Sequence, residues 1–287
     1  MPAAAIIDGA ALAESIKNDV RARAAALGRP VHLTAILVGG THAAELYANR
    51  QADACRDVGI DYQLLKLPEN ITAHDLKQEI RRLNTDPAVT GIMMHLPLPE
   101  HLNAARMQYE IDVVKDVEGV NPANIGYVVY GKTLIAPCTA LSVIELIRST
   151  GCTIRGAEAV VVGASEIAGK PIALLLAEQM ATVTLCHIAT KNLMQHTRRA
   201  EILVVAVGKA GLIVAEHVRE GAVVVDVGIN RVTLPDGTKK TVGDVQFDAV
   251  RARASHITPV PGGVGPMTVA MLLRNTLRSA EILAEKK

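Results

Sequence analysis

The chain has 287 residues, 49% of them hydrophobic and 21% charged, more than one hydrophobic core usually organises, so two domains of about 100 to 150 residues each are expected. Thirty basic residues against 29 acidic ones give a net charge of +1, which excludes the electropositive surface that nucleic acid or an anionic membrane would need. The few aromatics, five Tyr and one Phe, leave the core to Val, Ile, Leu and Ala, which favours a sheet layered by helices and a small-molecule partner.

In chain order, Leu12, Ile16 and Val20 recur at four-residue intervals between Asp8, a helix cap, and Gly28, a helix stop. The run Leu33 to Gly40 reads as a buried strand entering a turn, followed by a helix from Ala43 to Val58 that Gly59 ends. A strand in DYQLLKL, a helix from Ala73 to Leu83 capped by Thr72, and a strand in VTGIMMHL complete parallel β-α-β units. The second half restarts the pattern with AEAVVVG at Ala157 to Gly163, a helix reaching Met180, then ATVTLC, AEILVVAVG and GAVVVDVG. Strands this apolar are expected to be buried on both faces. After PVPGGVGP, Thr268 is expected to cap a last helix carrying Val269, Leu272, Leu273, Thr276 and Leu283. The alternation predicts an α/β protein with an open doubly wound sheet.

Cys55, Cys138, Cys152 and Cys186 are widely spaced without a C-x-x-C pair, so neither a disulfide framework nor a metal site is expected. The apolar stretch at the start is too short for a signal peptide, and no segment approaches 18 uninterrupted apolar residues, so the expectation is a cytoplasmic protein.

The turn Gly163-Ala164-Ser165-Glu166-Ile167-Ala168-Gly169 lies between a strand and a helix, the context of a dinucleotide fingerprint. Against G-x-G-x-x-G/A, Ser165 takes the second glycine position and Ala168 the third; both are small enough for backbone to approach a pyrophosphate. A tight turn without a ligand is the competing reading, and Gly208 and Gly228, each closing a later strand, weigh against it. The second strand ends in Cys186-His187-Ile188-Ala189-Thr190, which offers neither the acid that holds the NAD ribose nor the Arg that holds the NADP phosphate.

The segments ELYANRQADACRDVGI, GIMMHLPLPEHL, KDVEGVNPANIG, VVVGASEIAGKP, VGDV and HITPVPGGVGPMTVAML together resemble the bifunctional methylenetetrahydrofolate dehydrogenase/cyclohydrolase family over essentially the whole chain. The resemblance implies a folate domain at 1–138 and 267–287, a Rossmann-type nucleotide domain at 139–266, a cleft joining them, and a homodimer. It assigns catalysis to positions Tyr47, Gln51 and His95, and substrate binding to Tyr47, Glu118, Pro261, Gly262 and Gly263. It assigns the nicotinamide cofactor to Gly163, Ala164, Ser165, Ile167, Ile188, Gly208 and Ile229, with tetrahydrofolate as the one-carbon carrier.

Several positions depart from the family pattern. The family's catalytic Lys falls on Gln51, its Gln before L-P-L-P on His95, and its pterin-holding Asp on Glu118; a Ser falls on Ala44. Gln51 cannot titrate, whereas hydride transfer from the methylene carbon requires positioning and no protein proton carrier. The expectation is therefore a dehydrogenase with weak or absent cyclohydrolase activity. The alternatives are the full bifunctional reaction with His95 as proton carrier, or a folate- or nucleotide-binding homologue without catalysis. Ala164 and Ile188 replace the Arg and hydroxyl that the resemblance assigns to the 2′-phosphate of NADP, so NAD is favoured over NADP.

Overall fold

A computed structural model describes residues 3–40, 42–233 and 237–285. The chain divides into two compact units, one made of Met1–Ala13 with Thr139–Thr268, the other of Glu14–Cys138 with Val269–Lys287. In chain order come β1 (Ala5–Ile6), α1 (Gly9–Ala26), β2 (His32–Val38), α2 (His42–Asp57), β3 (Asp61–Leu67), α3 (Ala73–Thr85), β4 (Gly91–Met94), α4 (Ala104–Gln108), α5 (Pro122–Val129) and α6 (Cys138–Ser149). Then follow β5 (Glu158–Val162), α7 (Gly169–Glu178), β6 (Thr182–Cys186), α8 (Leu193–Thr197), β7 (Ile202–Val205), β8 (Val223–Asp226), β9 (Asn230–Thr233), β10 (Lys239–Val242), α9 (Phe247–Arg251), β11 (His256–Ile257) and α10 (Val264–Glu285).

In the unit built on Glu14–Cys138, β2 lies between β3 and β4 and runs parallel to both. Its residues Leu33–Val38 are all buried, as a central parallel strand covered on both faces requires. On one face α3 presents Leu76, Ile80 and Leu83, spaced four and three residues apart, to Ile36, Val38, Ile92 and Met94. Thr72 starts that helix by accepting a hydrogen bond from Asp75 N, as its sequence predicts. Gly91 must be bare: a Cβ there would stand 2.7 Å from Val117 Cγ1 and 3.2 Å from Thr276 Cγ2 of α10. The polar side chains on this part of α10 are buried and bonded, Ser279 Oγ donating to Thr90 O and Thr276 Oγ1 to Leu272 O.

The other unit holds a six-stranded sheet in the order β1-β11-β8-β7-β5-β6, every neighbouring pair parallel. After β5 the chain goes outward to β6, then returns to β7 on the other side. The carboxyl ends of β5 and β7 thus form the switch point at which such sheets bind ligands. Its core draws Val160, Val162, Leu203, Val205 and Val224 from the central strands.

Three expectations are corrected and one element is added. The first thirteen residues go with the six-stranded sheet, because β1 pairs with β11, two short strands that a two-residue apolar run does not announce. The strand in ATVTLC is not buried on both faces: β6 pairs only with β5 at the sheet edge, and Thr182 and Leu185 are exposed. The last helix begins at Val264 rather than after Thr268, whose hydroxyl donates to Val264 O inside the helix instead of capping it. Pro266 fits there because the first turn of a helix needs no N–H from it. The hairpin β9–β10 is antiparallel and was not anticipated.

Candidate active site

On α2, Tyr47 and Gln51 are one turn apart, and the Gln51 amide is near enough to the Tyr47 hydroxyl to hold its pKa down in part. His95 follows β4, its N–H donating to Ile36 O at 2.9 Å, and its ring meets the Tyr47 ring edge to face at a centroid distance of 6.0 Å. Glu118 closes the group, accepting at Oε2 from Met94 N at 3.2 Å. The four sequence-predicted positions Tyr47, Gln51, His95 and Glu118 are therefore gathered around the end of β4 within one unit.

Their environments differ in ways that set their chemistry. Tyr47 is about half exposed, whereas Gln51 and His95 are buried, and Gln51 Oε1 and His95 Nε2 are buried atoms without a hydrogen-bond partner. Burial lowers the His95 pKa, so its imidazole is neutral at pH 7. Burial lifts the Glu118 carboxyl to about 7, the Met94 amide pulling it back in part. Tyr47 is pushed up by burial and then by the Glu118 charge.

The loop that carries Glu118 is rigidly framed. Lys115 Nζ donates to Leu83 O, Asn84 O and Asp86 O at 2.9, 2.7 and 2.7 Å, closing the end of α3. Asp116 Oδ2 accepts from Asn121 N and Asn124 Nδ2. Gly119 has φ +70°, and a Cβ there would lie 2.3 Å from Ala136 C, so only glycine allows the chain to pass. From α10, Asn275 Nδ2 donates to both Val117 O and Ala136 O. Sequence reasoning missed Asn275; its one legible signal is a polar residue next to Thr276 and near Ser279 within a helix rich in Leu, Met and Ala.

In the six-stranded unit, Gly163 ends β5 with φ +115°, and a Cβ there would meet Ala206 O at 2.1 Å. The glycine that packs the helix against this turn is Gly169, whose Cβ would stand 1.8 Å from Gly163 O. The fingerprint's third position is thereby corrected from Ala168 to Gly169, the residue that opens α7. Ser165 Oγ accepts from Gly169 N at 3.3 Å, satisfying one donor of the helix start. The exposed apolar side chains Ile167, Ile188 and Ile229 stand after β5, β6 and β8, all at carboxyl ends of the sheet. Ile188 is fully exposed in a turn closed by Thr190 Oγ1 accepting from His187 N at 2.8 Å.

Gly208, after β7, is fixed from below: Asp244 Oδ2 accepts from Val207 N and Gly208 N at 2.7 and 2.9 Å. Asp226 in turn accepts from Gly228 N, Asp244 N and Val245 N, and burial pushes its carboxyl up to about 6. This pair explains why VGDV and VDVGIN are needed together, a link that spacing alone does not reveal. A shape that backbone and glycines make without side chains, at a switch point and beside a helix start, fits the diphosphate of a dinucleotide. Pro261, Gly262 and Gly263 also lie in this unit, ahead of α10, where a Cβ on Gly9 would stand 1.9 Å from Gly263 O.

Two family profiles match the chain, tetrahydrofolate dehydrogenase/cyclohydrolase, catalytic domain, over residues 7–118, and its NAD(P)-binding domain over residues 137–284. The chain belongs to the tetrahydrofolate dehydrogenase/cyclohydrolase family. A Mesorhizobium japonicum relative named bifunctional protein FolD 2 is 48% identical over 274 residues, 94% of this chain and 90% of the relative. The crystal structure of the bifunctional FolD enzyme from Campylobacter jejuni superposes with a TM-score of 0.92 at 43% identity, covering 98% of this chain and 99% of that one. The Trypanosoma brucei methylenetetrahydrofolate dehydrogenase-cyclohydrolase, solved with NADP and an inhibitor, gives 0.91 at 39% identity, with 98% and 99% covered. These bifunctional relatives do not support the expectation of a weak or absent hydrolase and fit the bifunctional alternative better. Among the described residues no helix is long and apolar enough to cross a membrane.

Proposed function

We propose that this chain oxidises 5,10-methylenetetrahydrofolate to 5,10-methenyltetrahydrofolate with a nicotinamide dinucleotide, and also hydrolyses the methenyl product. The observation that carries the reading is the polar pocket of Tyr47, Gln51, His95 and Glu118 in a chain that also has the Gly163–Gly169 crevice. Names of near-complete relatives support both activities.

A bound nicotinamide supplies the acceptor for hydride. The protein's contribution to that step is orientation, since the cation left on the one-carbon centre is stabilised by its two nitrogens. Gly163, Ala164, Ser165, Ile167, Ile188, Gly208 and Ile229 are the residues we assign to the dinucleotide. Glu118 offers a carboxylate to the paired N–H donors of the aminopyrimidinone edge, and Tyr47 offers its half-exposed ring beside it. Pro261, Gly262 and Gly263 are assigned to the substrate on the resemblance, as is the homodimer. For hydrolysis, His95 is a neutral imidazole and so a base able to take a proton from water.

NAD is the preferred dinucleotide in this reading. Ala164 provides no guanidinium for a 2′-phosphate, and the fully exposed Ile188 provides no hydroxyl to bond one.

The test is to incubate the purified protein with methylenetetrahydrofolate and either nucleotide, following reduced nicotinamide, and separately with methenyltetrahydrofolate alone. Reduction and enzyme-dependent loss of the methenyl absorbance are expected. No reduction with either nucleotide overturns the proposal; oxidation without methenyl hydrolysis removes its second half.

A further inference from the structure

Gln51 and His95 present two buried polar atoms that the fold leaves unsatisfied. Gln51 is 3% exposed and His95 7%, yet Gln51 Oε1 and His95 Nε2 have no hydrogen-bond partner. A buried polar atom without a partner is costly, so two of them beside the Tyr47 ring mark a place shaped for a small hydrogen-bonding molecule. Gln51 stands one turn from Tyr47 on α2, and its amide works against the rise of the Tyr47 pKa, as an N–H turned toward the hydroxyl would. The carbonyl oxygen is what remains for the pocket. A Lys at this position would instead bring only donors.

We propose that Gln51 acts as a water-orienting acceptor, its Oε1 taking one hydrogen of a water while His95 Nε2 takes the other, so that the water's lone pair is left for attack on the one-carbon centre. The inference rests on the bifunctional reading and names how this chain performs the hydrolytic half without a titrating group at position 51. Water is the smallest molecule with two donors and a free lone pair, and Gln51 Oε1 together with His95 Nε2, in the tautomer that protonates Nδ1, would use both donors.

The step balances without a further reactant. The water oxygen bonds to the methenyl carbon, the π pair of its C=N5 bond moves to N5, and His95 Nε2 takes a proton from the water. The C–N5 bond then breaks with its pair going to N5, which receives the proton from His95. The hydroxyl of the adduct releases its proton to solvent as the formyl C=O forms on N10. One water is consumed, one proton is released and nothing is oxidised or reduced. His95 carries the proton, and Gln51 positions the water without titrating.

The experiment compares Gln51→Leu and Gln51→Glu with the unaltered protein, measuring methenyltetrahydrofolate hydrolysis and methylenetetrahydrofolate oxidation on the same preparations. Gln51→Leu should lower the ratio of hydrolysis to oxidation about 100-fold, through kcat rather than KM. Gln51→Glu keeps an acceptor and surrenders the donor to Tyr47, and it should hold that ratio within about 10-fold. If Leu disrupts the fold, Gln51→Met, unbranched and equally unable to accept strongly, makes the same comparison. An unchanged ratio in Gln51→Leu or Gln51→Met overturns the inference while leaving bifunctionality intact. A ratio in Gln51→Glu as low as in Gln51→Leu overturns it too, assigning the loss to the Tyr47 contact. Absence of hydrolysis in the unaltered protein, with oxidation present, instead marks failure of the underlying reading.

Discussion

Asn275 and Val117, 158 residues apart in sequence, are joined by a 2.9 Å hydrogen bond from the Asn275 amide to the Val117 carbonyl, and the same nitrogen reaches Ala136 O at 2.9 Å. Glu118 is the next residue after Val117, so the amide fixes the backbone from which its carboxyl, proposed to hold the folate, projects. Asn275→Leu leaves Ala136 O unpaired and Val117 O with only the Cys138 thiol at 3.4 Å, and should destabilise the protein by about 1 to 3 kcal/mol. A lower denaturation midpoint together with a raised KM for the folate would show both effects; a raised KM alone would place Asn275 outside the stability argument.

Gly169→Ala introduces a methyl 1.8 Å from Gly163 O, a distance no local adjustment of a helix start absorbs without moving the turn. The KM for the dinucleotide should rise at least about 10-fold, with folate binding measured by fluorescence much less affected. Equal nucleotide kinetics in the variant would show that the turn can widen.

Nucleotide choice should follow the two small departures at the crevice. Ile188→Ser with Ala164→Arg restores a hydroxyl and a guanidinium, each able to form charge-assisted bonds to a 2′-phosphate, and should shift the NADP-to-NAD ratio of kcat/KM upward by about 100-fold. Ratios measured at fixed folate concentration decide the matter.

In its proposed role at the pterin edge, Glu118 should make folate binding depend on pH in a definite direction. Burial raises its pKa from 4.5 to about 7, and the pterin donors need the ionised form, so KM for the folate should fall as pH rises through about 7. Stability runs the other way: the folded state holds the proton more tightly than the unfolded chain. The stabilisation is full below about 4.5 and is lost as pH climbs to about 7. Glu118→Gln should flatten both trends, which pH-resolved kinetics and thermal melts would follow.

Asp244 accepts from Val207 N, Gly208 N and Asn230 Nδ2 at 2.7, 2.9 and 2.8 Å, so Asp244→Ala strips three donors at once. A stability loss of about 2 kcal/mol or more and a weaker dinucleotide KM are expected together. Stability lost with nucleotide affinity intact would show that Gly208 does not contribute to the crevice.

Much of this was legible in the residues. The apolar runs in β2, β5, β7 and β8 announce buried parallel strands because a strand covered on both faces has no reason to alternate. Tyr47 and Gln51 could be placed on one face because helix geometry fixes the i, i+4 relation. What stayed hidden depends on contacts between distant segments. β1 and β11 are two residues each and exist as strands only because they pair, and Gly169 matters only because Gly163 O is pressed against it. That Gln51 Oε1 and His95 Nε2 are both buried without partners depends on how α2 meets the end of β4, which no spacing conveys.

The interleaving of the two units sets an order of assembly. Residues 1–13 complete the sheet whose other strands lie beyond residue 157, and Val269–Lys287 complete the unit begun at Glu14. As the chain leaves the ribosome, the half that is synthesised first is therefore finished last. Leu33 and Gly91 must wait, with one flank of their sheet uncovered, until the final helix has emerged to lay Thr276 against them. Shortening that helix would leave the nascent protein with a completed nucleotide sheet and an open folate half, the state most exposed to chaperones and proteases.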